Sequence, residues 1–213
     1  MTDYVFFAPD GELLDKEQFI KLYGLIYRYS VPDWKLENDV ENILRKGTLS
    51  HEDIIKIFEW KTGCRSTDGK TVHYRSVVIN ADDVARCINP KAEMPEQLLD
   101  DLLKIKGLGS VYAITVLYFL SGGKYPIYDR FAHTGADAIL NQNHTEFGKR
   151  IVYKGISNSK SGKTVFQSYK EKYADKFAEI KKIFGENVSD RDIDRALWAY
   201  GHLFYAESKK EKP

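Results

Sequence analysis

Leu102-Leu103-Lys104-Ile105-Lys106-Gly107-Leu108-Gly109-Ser110-Val111-Tyr112-Ala113 is the stretch on which the reading of this chain turns. Upstream of it, Pro95 to Lys104 has the pattern of a helix, with proline in the first turn and Leu98, Leu99, Leu102 and Ile105 along one apolar stripe. Gly107 ends that helix. Glycines on both sides of Leu108 permit positive φ and, lacking Cβ, let another backbone come close. A second helix then starts at Gly109 or Ser110. The N–H groups of its first turn have no acceptor within the helix, so they form an anion seat at the positive end of the dipole. Leu108 is expected to be buried between the helices, and Ala113 to be small enough for them to pack closely. The spacing predicts a rigid helix-hairpin-helix over 95–121.

Beyond it, Gly122, Gly123 and Pro126 mark a loop that ends at Asp129, and Arg130 to Leu140 reads as a helix with Asp129 as its N-cap, so that 122–141 is a Gly/Pro loop and an Asp-capped helix. Each half has a plain structural account: a turn joining two core helices, and an aspartate that only caps. The joint spacing argues for more. Ile105 stands two residues before the first glycine, Leu108 between the two, and Ala113 four after the second, which matches the hairpin that holds nucleic-acid phosphate. Lys106 adds a cation at the tip. Lys106, Gly107, Leu108, Gly109 and Ser110 are therefore the expected DNA-binding residues, with Arg130 available to a phosphate. A hairpin of this kind grips duplex without reading bases, so any chemistry must come from elsewhere.

The stretch 95–141 resembles the helix-hairpin-helix DNA glycosylase superfamily, with its 8-oxoguanine glycosylase-like base-excision repair fold, whose members follow the hairpin with a Gly/Pro-rich loop and an essential aspartate. The resemblance implies double-stranded DNA as partner and Asp129 as the catalytic carboxylate. Rupture of an N-glycosidic bond builds positive charge on the deoxyribose, as in sugar hydrolysis, and a carboxylate close by stabilises that charge and orients or deprotonates the attacking water. Members that form a Schiff base carry lysine where this chain has Val111, so base release without backbone cleavage is expected. Asp129 stands three residues after Pro126, where many members use two. Iron–sulfur members need four cysteines, and Cys64 and Cys87 are the two cysteines here, so no cluster is expected. No metal or cofactor is called for beyond a monovalent cation that the resemblance implies on a hairpin carbonyl when DNA is bound. A displaced base needs an aromatic or polar pocket, for which Tyr125, Tyr128, His133, Trp198 and His202 are the candidates. The alternative is a non-catalytic DNA-binding protein of the same fold, and beyond it an interaction domain in which the hairpin is only structural.

Composition fits a folded protein. With 213 residues and 43% hydrophobic content, the chain can bury a core as a single compact unit, 1–213, of two helical lobes. Thirty-two Lys and Arg against 31 Asp and Glu give a formal charge of +1, so any DNA-binding face must come from local clustering. Lys149, Arg150, Lys154, Lys160, Lys163, Lys170, Lys172, Lys176, Lys181 and Lys182 supply such a run, while acids gather at Glu37, Asp39, Glu41, Glu52 and Asp53. The N-terminus lacks a basic leader, and the longest apolar stretch, Val111 to Leu120, is too short to span a bilayer. A cytoplasmic protein without membrane contact is the expectation, with oligomeric state left open.

Elsewhere helices dominate, and an all-α fold is predicted. Asp15 caps a helix over Lys16 to Tyr29, Pro32-Asp33 opens another to about Lys46, and Ser50 with Asp53 forms a capping box for a third that Gly63 breaks. Asp68-Gly69 within 67–79, among β-branched residues, suggests a loop or small β-hairpin that could contact DNA. Asn80 or Asp82 begins a short helix. Residues 141–161 read as a polar loop. Phe166, Tyr169, Tyr173, Phe177, Ile180 and Phe184 form an apolar stripe and therefore core, as do Ile193, Leu197, Tyr200 and Phe204 in a last helix over Ser189 to Glu207. A frayed tail is expected at 208–213.

Overall fold

The computed structural model describes residues 4–88, 94–141, 147 and 149–206. The chain is mostly helical. It divides into two compact units, one of Met1–Val31, Tyr128–Gly155 and Lys170–Pro213, the other of Pro32–Ile127 and Ile156–Tyr169. The expected tail at 208–213 lies outside the described residues.

In the first unit a short antiparallel pair, β1 (Phe6–Phe7) and β2 (Leu13–Leu14), precedes α1 (Lys16–Ser30). Asp15 and Gln18 make the reciprocal capping box that starts α1. The unit continues with α7 (Arg130–Leu140), β5 (Ile151–Val152), a π turn (Lys170–Ala174), α9 (Asp175–Phe184), α10 (Asp190–Phe204) and β6 (Tyr205–Ala206), where β5 and β6 pair in parallel. Its core is aromatic. Phe19 stacks on Phe184 with centroids 5.4 Å apart and meets Tyr200 edge-on at 5.0 Å, while Tyr23 packs on both Phe19 and Tyr200. The Tyr23 hydroxyl donates to Phe7 O at 2.6 Å.

Two glycines set the central crossing of this unit. A Cβ on Gly201 would run into the carbonyl of Phe131 and the nitrogen of Gly135, and one on Gly135 would run into the carbonyl of Leu197. The backbones of α7 and α10 touch there, so the side chains that flank the glycines are drawn together.

The second unit contains α2 (Trp34–Leu44), α3 (His51–Thr62), an antiparallel β-hairpin of β3 (Thr71–Tyr74) and β4 (Val77–Asn80), α4 (Ala81–Ile88), α5 (Pro95–Leu102), α6 (Ser110–Leu120) and α8 (Gly162–Tyr169). Asp33 caps α2, Ser50 and Asp53 form the box at α3, and Gly63 closes α3 in the left-handed conformation. Val40, Ile43, Ile57, Tyr118, Phe119 and Ile127 form a buried cluster on which Trp60 packs. Trp60 Nε1 donates to Glu37 Oε2 at 2.5 Å, which gives the fully buried Glu37 carboxylate a donor.

Three sequence expectations need correction. The β-hairpin turns at Arg75-Ser76 rather than at Asp68-Gly69; Asp68 instead accepts from the amides of Lys70 and Thr71 and closes the turn before β3. The stripe from Phe166 to Phe184 is core as expected, with Tyr169, Tyr173, Phe177, Ile180 and Phe184 buried, but its helix is interrupted by the π turn at 170–174 that separates α8 from α9. Four lysines of the basic run at 149–182 are held by carbonyls or carboxylates of the fold. Lys172 donates to Gly155 O at 2.7 Å, Lys160 to Leu103 O at 3.1 Å, Lys176 pairs with Asp137, and Lys181 pairs with Asp190 at 2.6 Å.

Candidate functional site

The hairpin belongs to the second unit. The helix α5 buries Leu98, Leu99 and Leu102, and residues 103–109 turn the chain into α6. Of the two turn glycines, Gly107 alone takes a positive φ, +88°. A Cβ there would also press on Val77 Cγ1 at 3.3 Å and Val78 O at 3.4 Å, so this position needs glycine for conformation and for the close approach of β4. Gly109 is different. It is extended, with φ of −87°, it is the N-cap of α6, and none of the described residues lies within 4 Å of where its Cβ would be. Glycine here leaves open space in front of the first amides of α6, and no side chain caps them. Leu108 and Ala113 are buried, 1% and 0% exposed, which locks the turn between the helices.

Lys106 is exposed at the tip and has no ion-pair partner among the described residues, whereas neighbouring Lys104 is held by Asp101 at 2.8 Å. Ser110 is 2% exposed, and its hydroxyl donates inward to Ser157 O at 2.7 Å. Its side chain therefore braces the hairpin, and only its backbone amide belongs to the anion seat. Lys160 on Leu103 O and the Gly162 amide on Asp100 strap the same hairpin from residues 156–162. The cation of Lys160 sits where the carbonyls of α5 end, which favours positive charge. Tyr125 lies in this unit too, edge-on to Phe166 with centroids 5.5 Å apart.

Asp129 belongs to the first unit. It is half-buried and caps α7, with Oδ1 accepting from the Phe131 amide at 2.8 Å. The glycine crossing of α7 and α10 brings a set of rings to this helix start. His202 lies face to face with Phe131, centroids 3.5 Å apart, and edge-on to Trp198 at 4.3 Å. Tyr205 packs on Phe131 at 4.9 Å, and the Arg130 guanidinium lies over both Phe131 and Tyr205, 4.8 and 5.2 Å from their centroids. Arg150 ties the end of the sheet by donating to Tyr205 O at 3.1 Å. Arg130 and His202 are exposed, while Phe131, Trp198 and Tyr205 are half-buried. Desolvation against this aromatic wall lowers the His202 pKa, opposed by the charge of Asp129 and helped by that of Arg130. The patch thus offers a carboxylate, a guanidinium and flat aromatic surface on one end of α7.

Tyr128 and His133, expected as pocket residues, are interior at 0% and 3% exposure. They hydrogen-bond to one another and stand behind the patch instead of facing solvent. Of the five pocket candidates, Trp198 and His202 reach the surface beside Asp129. Phe131, Tyr153 and Tyr205 were missed. Phe131 sits in the amphipathic run of α7 and looks like core, and Tyr153 and Tyr205 arrive through β5 and β6, strands too short to leave a periodic signal. The pair Gly135 and Gly201, each a glycine in the interior of a helix, was the available clue.

Among the described residues no group of three or more His, Cys, Asp or Glu is disposed to hold a metal ion, and no helix is long and apolar enough to cross a membrane. Compared with protein-family models, with characterised proteins and with solved structures, the chain gives no match.

Proposed function

We propose that the chain is a monofunctional DNA glycosylase, which holds duplex through the hairpin amides and Lys106 and hydrolyses the bond between an altered base and deoxyribose with Asp129 as the essential carboxylate. The observation that supports it most is the patch at the start of α7, where a half-buried Asp129 lies among Arg130, Phe131, Trp198, His202 and Tyr205. Carboxylate beside flat aromatic surface is what base release asks for: negative charge against the sugar cation, and a surface on which an unstacked ring can rest. In the proposed step the C1′–N bond breaks and its electron pair leaves with the base. Water oxygen bonds to C1′, its proton passes to Asp129 and then to solvent, and the departing base takes up a proton from solvent. Without lysine at Val111 the backbone stays uncut.

A second reading, a non-catalytic DNA-binding protein, has support in one detail. Asp129 Oδ1 is engaged in capping α7, a role that needs no chemistry. The experiment that separates them is release of bases from duplexes carrying oxidised, alkylated, deaminated or mismatched nucleotides. Asp129→Asn should lower the single-turnover rate at least about a hundredfold with duplex affinity retained. Undiminished release by the variant would remove Asp129 from the mechanism. Salt-dependent binding with no release from any substrate would establish the second reading.

A further inference from the structure

Behind the Asp129 patch, within the same unit, runs a line of buried polar groups that the proposed reaction does not use. Tyr128 Oη lies 2.7 Å from Tyr153 Oη and 3.2 Å from His133 Nδ1. On the far side His133 Nε2 is 3.4 Å from Asp137 Oδ2, and Lys176 pairs with the other oxygen of that carboxylate. Burial lowers the His133 pKa to about 4, with Lys176 and Lys172 adding to the effect and Asp137 opposing it. The imidazole is therefore neutral at pH 7 and carries one N–H.

Which nitrogen carries it follows from the neighbours. Asp137 can only accept, so with Nε2 3.4 Å from its Oδ2 the proton is assigned to Nε2, and Nδ1 becomes the acceptor. Tyr128 then donates to Nδ1, and its oxygen accepts from Tyr153. The Tyr153 hydroxyl has a single proton and directs it inward, which leaves only lone pairs for the outside. Tyr153 is half-buried, its ring packs 5.9 Å from that of Tyr205, and after desolvation the charge of Asp129 is among the influences that raise its pKa. Its ring thus borders the same patch through Tyr205.

We infer that Tyr153 is a positioning residue of the Asp129 patch, held by Tyr128 and His133 as an acceptor of fixed polarity that takes a hydrogen bond from an N–H or O–H donor bound there. Under the glycosylase reading, on which this rests, the donor is the attacking water, with one proton toward Asp129 and the other toward Tyr153.

The test compares binding of the full chain to two duplexes that differ in one ring group, a neutral ether oxygen against a charged amine that donates. One carries a tetrahydrofuran abasic nucleotide; the other carries a pyrrolidine in its place, whose ammonium group presents two N–H donors. Tyr153→Phe is expected to weaken binding of the pyrrolidine duplex about tenfold and to leave the tetrahydrofuran duplex unchanged. Tyr128→Phe, which frees the Tyr153 hydroxyl to rotate, should produce a smaller loss of the same kind. Nitrogen-15 spectra of histidine-labelled protein should show His133 protonated at Nε2 alone at pH 7. Equal pyrrolidine affinity in Tyr153→Phe and wild type, a proton on His133 Nδ1, or no binding of either duplex overturns the assignment. Asp129→Asn keeps the two proposals apart. Loss of pyrrolidine binding in that variant but not in Tyr153→Phe would leave the glycosylase reading standing without Tyr153, whereas donor-dependent loss in Tyr153→Phe from a protein that releases no base would retain the acceptor and discard the reaction.

Discussion

Replacing Gly201 by alanine adds one methyl group at the place where α7 and α10 touch. The new Cβ would lie 2.6 Å from Phe131 C and 2.9 Å from Gly135 N, and nearer still to the Phe131 carbonyl oxygen, all of them backbone atoms that no rotamer change can move. Restoring ordinary contact requires the helices to part by roughly an ångström, a gap that forfeits about a quarter to a half of the dispersion energy along the crossing. Overpacking of this sort costs up to about 3 kcal/mol. Alanine recovers about 1 kcal/mol through helix propensity, so the net loss is about 2 kcal/mol. For a chain of this size that corresponds to a fall in melting temperature of about 4–8 °C. Gly24→Ala is the control. Gly24 lies within α1, nothing stands within 4 Å of its Cβ position, and the same substitution should stabilise by about 1 kcal/mol. Urea titration of the two variants beside wild type measures both changes. The Phe131–His202 stack flanks Gly201, so quenching of Trp198 fluorescence by its aromatic neighbours should fall in Gly201→Ala alone. If Gly201→Ala proved as stable as wild type, or gained stability as Gly24→Ala does, the argument that backbone contact at this crossing builds the patch would be refuted.

Two further outcomes follow from the same structure. His133 has a folded pKa of about 4 against an ordinary value of 6.5, so between these the unfolded chain binds the extra proton. Stability from this group is complete above pH 6.5 and is lost as pH falls toward 4, by up to about 3 kcal/mol; urea titrations at pH 7 and 4.5 should show the loss in wild type and a markedly smaller one in His133→Gln. Lys106→Ala should weaken duplex binding several-fold at low salt and reduce the slope of log affinity against log salt by about 1, read by fluorescence anisotropy; an unchanged slope would remove Lys106 from the DNA contact.

Local physics made the helical scaffold legible from the chain alone. Asp15, Asp33, Ser50, Asp129 and Ser189 start helices because a short polar side chain can accept from an amide that the helix leaves unpaired, and that signal lies within four residues. The buried stripes of α5, α9 and α10 follow from helical period, and the need for glycine at 107 from a turn with positive φ. What tertiary structure alone decided is which polar residues meet. Ser110 was read as a phosphate contact, yet its hydroxyl is bonded to Ser157, distant in sequence; Lys160, Lys172 and Lys176 were read as a basic face, yet carbonyls and a carboxylate of the fold consume them. Asp129 was legible as a cap, but the rings around it, Phe131 apart, come from α10 and β6, through a helix crossing set by Gly135 and Gly201. Caps and periodicities depend on neighbours along the chain, whereas a site of this kind depends on contacts between segments remote from one another, and no local pattern encodes the distance between them.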